Sequence, residues 1–181
     1  IDEVIEVGGQ QMSAYHGYWA KDFKRLDQHL VDRPEDVRVF SRKDTVFDEL
    51  ITKMHARGMQ LVLDIVCNHS NPHVGEARCE LYDDGELLCR YDEDNGAWFH
   101  HHGGVTDWND LHEVQSRDLC GLADFNEESF AYRSYIKSAM KQWLDKGVDA
   151  FRIDTVKHMP IWFWQEFTGD MDVHKPDTFM F

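Results

Sequence analysis

The 181 residues are 42% hydrophobic and 13% aromatic, enough for one domain with a real core and far from the composition of a disordered chain. The formal net charge of -15 argues against nucleic acid, whose phosphates need clustered Lys and Arg, and against an anionic membrane surface. A neutral, hydroxyl-rich ligand such as a sugar is indifferent to that charge, and no apolar run approaches the length of a membrane span.

Ile1 reads as a start in mid-fold, so the lack of a leader there says nothing about secretion. The first regular element is a helix over 44–57: Val46, Leu50, Ile51 and Met54 recur at helical spacing, Asp44 offers an N-cap and Gly58 a stop. A near-continuous apolar strand follows over 60–66. The pattern then repeats. Tyr132, Tyr135, Ile136, Ala139, Met140 and Trp143 form an apolar stripe that predicts a helix over 129–146, ended by Gly147, with a strand over 148–154. Residues 178–181 read as the start of the next strand. Apolar strands that follow helices indicate an α/β fold with a parallel sheet covered by helices.

Gly58 and Gly147 lie about twice as far apart as one helix, one strand and short loops require. The excess falls in 68–126, which holds the turn signals Asp84-Gly85, Asn95-Gly96 and Gly103-Gly104 and several histidines. It reads as a small irregular or β-rich insertion, flanked by barrel-like parts at 1–67 and 127–181. Cys79 and Cys89 flank Asp83-Asp84-Gly85. A three-residue loop there would set them opposite each other for a disulfide, with two free thiols the alternative.

Strand alternation puts Ala150, Arg152 and Asp154 on one face of the second strand. Buried unpaired, Arg152 and Asp154 would be costly, so they belong at a wet strand end and pair with each other. C-terminal strand ends carry the active sites of parallel α/β folds, and a nearby Arg would keep Asp154 ionised as a nucleophile requires. A buried ion pair closing the sheet explains the same residues, and spacing alone does not separate the two. On the first strand, Asp64, Val66 and Asn68 share a face and His69 follows. Asn68 offers an oxygen to a hard cation, and His69 a hydrogen-bond donor to a sugar hydroxyl; a turn-forming Asn and an exposed His are the plainer reading. Asp124 stands where the insertion returns, so a cation between Asn68 and Asp124 would pin both its ends.

Three segments, Asp64–His69, Gly121–Asn126 and Gly147–His158, resemble in order three signature regions of the α-amylase family, glycoside hydrolase family 13. The likeness is closest to cyclodextrin glucanotransferases and their maltogenic amylase relatives. Tyr15–Phe23 is similar to the segment before the third barrel strand of that group, and Leu81–Gly85 and Phe99–Gly104 to pieces of its inserted domain B. The resemblance implies a partial TIM (β/α)8 barrel, about strands 3 to the start of 5, with domain B inserted after strand 3. It implies Asp154 as the nucleophile with Arg152 orienting it. His69 would bond the sugar next to the scissile linkage and Tyr18 would stack on it, with His16 and Trp19 alongside. Lys157, His158 and Trp108 would line the acceptor side. Ca²⁺ would be held by the side chains of Asn68 and Asp124 and the backbone carbonyls of His158 and Gln115. His100, His101 and His102 would be structural.

The implied activity is retaining cleavage of α-1,4 bonds in starch and malto-oligosaccharides, outside the cell, with no nucleic acid or membrane partner. A cyclodextrin-forming or 4-α-glucanotransferase, or a non-catalytic sugar- or protein-binding barrel, are the alternatives. Cyclodextrin-forming members carry Tyr or Phe four residues before the Asp124 position; here Cys120 stands there, which favours hydrolysis or linear transfer. Retaining glycosidases need a second carboxyl as acid/base. The family supplies it as a Glu at the end of the next barrel strand, which is not reached by Phe181. A complete barrel takes about 250 residues, so the chain reads as a fragment, inactive by itself.

Overall fold

A computed structural model describes residues 4–7, 9–75 and 77–181. In chain order the strands are β1 (Val4–Val7), β2 (Gln10–Ser13), β3 (Val62–Val66), β4 (His69–Pro72), β5 (Glu80–Asp83), β6 (Glu86–Arg90), β7 (Leu122–Asp124), β8 (Ala150–Asp154) and β9 (Phe179–Met180). The α-helices are α1 (Val46–His55), α2 (Leu111–Ser116), α3 (Phe130–Lys146) and α4 (Ile161–His174). Strands β3, β8 and β9 form a parallel sheet in that spatial order, preceded in the chain by α1, α3 and α4 respectively. Each helix–strand pair buries the helical stripe against the sheet, with Tyr132, Ile136 and Met140 of α3 and Phe163, Phe167 and Met171 of α4 in one cluster with Phe151.

Local chemistry explains where the elements differ from the expected bounds. The N-cap of α1 is Thr45, not Asp44, which sits at φ 59°. Thr45 Oγ1 accepts the Asp48 N–H at 3.2 Å while Asp48 accepts the Thr45 N–H at 2.9 Å, a reciprocal capping box. Asp48 also receives Lys146 Nζ at 2.7 Å, tying the start of α1 to the end of α3. Gly147, at φ 111°, ends α3 in the left-handed conformation, and the Val148 N–H caps Trp143 O. That bond removes Val148 from the ladder, so β8 starts at Ala150 rather than 148. Met59 is held to Met54 O in the same way, and β3 starts at Val62 rather than 60.

The insertion begins and ends on one antiparallel pair, β4 with β7, which sets His69 opposite Asp124. Strands β5 and β6 form a hairpin closed by Asp84 and Gly85, both at positive φ, a two-residue turn. That register puts Leu81, not Cys79, opposite Cys89, and Cys79 O instead accepts the Tyr91 N–H. The loop is therefore two residues long rather than three, and Cys79 and Cys89 are not joined, the alternative of two thiols; none of the four cysteines forms a disulfide. Phe99 and Phe125 from the insertion stack at 5.1 Å, and Phe125 stacks on Tyr132 of α3 at 4.4 Å. The Tyr132 hydroxyl donates to Cys67 O beneath them. The β1–β2 hairpin was not anticipated, although Gly8-Gly9 after the largely apolar Val4–Val7 is a turn signal. Among the described residues no helix is long and apolar enough to cross a membrane.

Thr45 is fully buried, so Thr45→Ala should cost about 1–2 kcal/mol in a urea titration while Thr45→Ser keeps most of the cap.

Candidate active site

The parallel register fixes the centre of the site. Asp64 of β3 lies opposite Arg152 of β8, and Val66 opposite Asp154. Arg152 Nη1 lies 2.9 Å from Asp154 Oδ1 and 2.9 and 3.0 Å from the two oxygens of Asp64. Two carboxylates on one guanidinium raise its pKa further, so Arg152 stays charged. Tyr18 donates its hydroxyl to Asp64 Oδ2 at 2.9 Å and accepts from Arg152 Nη1 at 3.3 Å. The bond to Asp64 holds the phenol proton in place and pushes its pKa up.

His16 stacks on Tyr18 with ring centroids 5.7 Å apart, and its Nδ1 accepts the Tyr18 N–H at 3.1 Å. Trp19 meets His16 edge-on at 5.2 Å but is only 9% exposed, packed with Ile5 and Ala14. It braces the His16–Tyr18 pair from behind and offers no open face to a ligand.

His69, at the start of β4, is 2% exposed, and Nε2 is buried without a hydrogen-bond partner. Burial lowers its pKa to about 4, against which the negative charge of Asp154 pulls upward. Its Nδ1 lies 3.1 Å from Asn68 Oδ1, an acceptor, so Nδ1 carries the hydrogen of the neutral ring. In this amide orientation Nε2 is an acceptor; with the Asn68 amide turned the other way Nδ1 would accept and Nε2 would carry the hydrogen, the expected donor.

Asn68 Nδ2 donates to Asp124 Oδ1 at 2.6 Å and to His158 O at 3.3 Å. Asp124 is 1% exposed, and burial, reinforced by Asp118, raises its pKa well above the usual carboxylate range. Asp124 Oδ2 lies 2.8 Å from His100 Nδ1. The Gln115 side chain donates to Lys157 O and Met159 O at 3.3 and 3.2 Å, so it reaches the same turn through its amide. His101 and His102 turn to Asp94 and to Ser116 O, away from Asp124. Among the described residues no group of three His, Cys, Asp or Glu side chains is placed to hold a metal.

The turn Val156–His158 follows the left-handed Thr155 and packs on α2. Lys157 is exposed. The His158 ring is 5% exposed, its Nδ1 bonded to Val114 O at 3.1 Å, and burial lowers its pKa. It supports the half-exposed Trp108, whose ring meets it edge-on at 6.3 Å, and does not itself form an open acceptor wall. Cys120 is exposed at φ 54°, four residues ahead of Asp124. The residue missed as a member of the central cluster is Asp64. Its signal was a lone carboxylate in an apolar parallel strand, which requires a partner on the neighbouring strand.

A sequence profile for the α-amylase catalytic domain matches residues 9–179. The chain belongs to the α-amylase family. It is 36% identical over 181 residues to a cyclomaltodextrin glucanotransferase of Niallia circulans, covering 97% of this chain and 24% of that protein. It is also 36% identical over 182 residues to an α-amylase of the same organism, covering 97% and 32% respectively. A crystal structure of a cyclomaltodextrin glucanotransferase with a three-domain ABC distribution matches with a TM-score of 0.83 at 32% identity, over 95% of this chain and 34% of that one. The chain thus spans about a quarter to a third of the length of these relatives. Its parallel sheet and preceding helices are the corresponding part of the family's TIM barrel, interrupted by the small insertion.

The unfolded His69 takes up a proton near pH 6.5 and the folded one only near pH 4, so stability is complete above that window and falls as pH drops through it. The loss attributable to His69 is at most about 3 kcal/mol. Urea midpoints at pH 7 and pH 5 should therefore separate more in the wild type than in His69→Gln; equal separations would contradict the neutral, buried imidazole.

Proposed function

We propose that this chain carries the nucleophile side of a retaining α-glucan active site, and that the protein containing it hydrolyses α-1,4-glucosidic bonds of starch and malto-oligosaccharides. The observation that carries the reading is Arg152 Nη1 held 2.9 Å from Asp154 Oδ1 at the C-terminal end of a parallel strand. A permanently charged donor there orients Asp154 for attack on an anomeric carbon. The Asp154 side chain is 28% exposed, accessible to a substrate, whereas an ion pair that only closed the sheet would be sealed.

In this reading the Tyr18 ring stacks on the sugar at the point of cleavage, braced by His16 and Trp19, and His69 Nε2 hydrogen-bonds one of its hydroxyls. Lys157 and the half-exposed Trp108 face the acceptor side, with His158 supporting Trp108. Asp154 displaces the leaving oxygen to form a glycosyl-enzyme ester. Protonation of that oxygen falls to a second carboxyl about 5–5.5 Å away, which the family resemblance puts at the far end of the strand that β9 begins. Water then resolves the ester. Cys120 supports hydrolysis over cyclisation, because the aromatic around which a glucan would curl is replaced by a small thiol.

Asp124, Asn68 and the His158 carbonyl are hard oxygen donors on three separate segments, and they fit Ca²⁺ once the Asn68 amide turns its oxygen inward. The raised pKa of Asp124 marks a buried charge that a cation would compensate. Its contribution would be structural: it would neutralise Asp124 and join the insertion to the strand ends. Gln115 holds the same turn through its side chain.

In the full-length enzyme, Asp154→Asn should lower kcat on starch by roughly 10³-fold or more with maltooligosaccharide binding retained, the scale expected for loss of a covalent nucleophile. Near-wild-type turnover would reject the assignment. Linear products are expected from starch, and cyclodextrins as the main product would replace hydrolysis with transfer. A chelator should lower the melting temperature, and restored Ca²⁺ at a hundredfold excess over its Kd should return about 2.7 kcal/mol. Asp124→Asn should abolish that response.

A further inference from the structure

The chain leaves β8 through a residue with no part in the chemistry assigned to Asp154. Thr155 sits at φ 52° and ψ 31°, in the left-handed region, where a β-branched side chain is rare and persists only if its surroundings hold it there. Its hydroxyl donates to the carbonyl of Asp154 itself at 2.8 Å. The turn that follows is held at every carbonyl. Thr155 O accepts the His158 N–H at 2.9 Å, and Val156 O accepts the Trp164 indole N–H at 2.8 Å. Beyond them, Lys157 O and Met159 O accept from the Gln115 amide, and His158 O from that of Asn68. The exposed Lys157 therefore stands on a backbone fixed from two sides, by Gln115 of α2 and by Trp164 of α4. Trp164 is itself braced edge-on by Phe163 at 5.0 Å and Phe167 at 5.8 Å.

We propose that Thr155 and Trp164 are positioning residues that fix the step from the nucleophile to the acceptor side, Thr155 by turning the chain sharply after Asp154 and Trp164 by tying that turn to α4. A relaxed, right-handed residue at 155 would carry Val156 and Lys157 off in another direction, and the Asp154 carbonyl would lose its hydroxyl partner. The indole holds Val156 from the opposite side, and neither side chain needs to touch substrate. Together they keep Asp154 and Lys157 in one relative placement while the leaving group departs and water or a sugar hydroxyl takes its place. Loss of either weakens turnover more than binding, because Tyr18 and His69, which grip the sugar in the proposed function, lie on other segments. The kinetic part of this inference rests on that function; the hydrogen bonds of the turn do not.

Two variants of the full-length enzyme test it: Thr155→Val, which keeps the shape and removes the hydroxyl, and Trp164→Phe, which keeps an aromatic ring and removes the indole N–H. Each should lower kcat on maltooligosaccharides by at least about threefold with KM within about twofold of wild type. Thr155→Ser, which keeps the hydroxyl, should restore most of the loss. The double variant Thr155→Val/Trp164→Phe should lose less than the product of the two single losses, since both act on one turn. A second readout is independent of catalysis: exchange of the Trp164 indole N–H with solvent, followed by NMR of ¹⁵N-tryptophan-labelled enzyme. The bonded indole of this half-buried ring should exchange slowly in the wild type, and Thr155→Val should speed it by roughly tenfold as the turn loosens. A smaller fall in kcat in both variants, a loss carried in KM rather than kcat, or unchanged indole exchange overturns the proposal. If Thr155→Val does not fold, Thr155→Ala takes its place with the same thresholds. Should Asp154→Asn prove as active as wild type, the catalytic reading fails separately, and the indole exchange still decides the turn.

Discussion

The ladder between β3 and β8 runs in one parallel register, from Val62 opposite Ala150 to Val66 opposite Asp154, and the polar groups at its end depend on that register. A slip of one residue would turn Asp64 to the opposite face from Arg152 and leave a guanidinium facing apolar side chains. The register is pinned from both ends. Below, the Asp149 carboxylate accepts the Leu61 N–H at 2.8 Å while the Asp149 N–H donates to Leu61 O at 3.0 Å. Above, Arg152 meets carboxylates on both strands, Asp64 on β3 and Asp154 on β8. The same pairing that completes the sheet thus places a charged donor beside Asp154, and no loop has to be ordered to achieve it.

The insertion is fastened where this ladder ends. Asn68 follows β3 by two residues, and its amide reaches both Asp124 on the returning strand and the carbonyl of His158 just beyond β8. Three chain segments distant in sequence therefore meet at one buried amide. The cost of burying Asp124 is met by Asn68, by His100 and by the pKa rise itself, which favours the neutral acid. A carboxylate kept in such surroundings is poor economy for a scaffold and good chemistry for a cation ligand.

Helices and strands were legible because each rests on a local signal: an apolar stripe, a terminating glycine, a cluster of turn residues. The errors arose where two neighbouring residues competed for one role. Asp44 and Thr45 are both capable caps, and only Thr45 has Asp48 three residues on to close the box. A Cys79–Cys89 pairing depended on loop length; Asp84-Gly85 alone makes the turn, which shifts the register by one, and an irregularity between Leu81 and Tyr82 adds another, so Cys89 meets Leu81. At the site, Asp154, Arg152, Asn68, His69 and Asp124 stood out through ordered motifs. Their mutual contacts did not. Asp64 could not be matched to Arg152 without the strand register, nor His69 Nδ1 to Asn68 without the path of the chain beyond β3. Likewise, the sequence marks Trp19 and His158 as aromatic and polar groups near the site, but only packing shows that both rings are buried and act as supports.

The stack of Phe99 on Phe125 on Tyr132 gives the insertion and the helical layer one continuous core rather than two cores meeting at a seam. Such a seam is what lets a subdomain hinge, fray or exchange its amide hydrogens independently of its neighbour. Here the aromatic column runs from the insertion through α3 to Phe163 of α4, so the insertion cannot lift without opening the layer behind Asp154. The wall that the insertion gives the site is therefore built into the same core as the sheet behind it, and the two move as one.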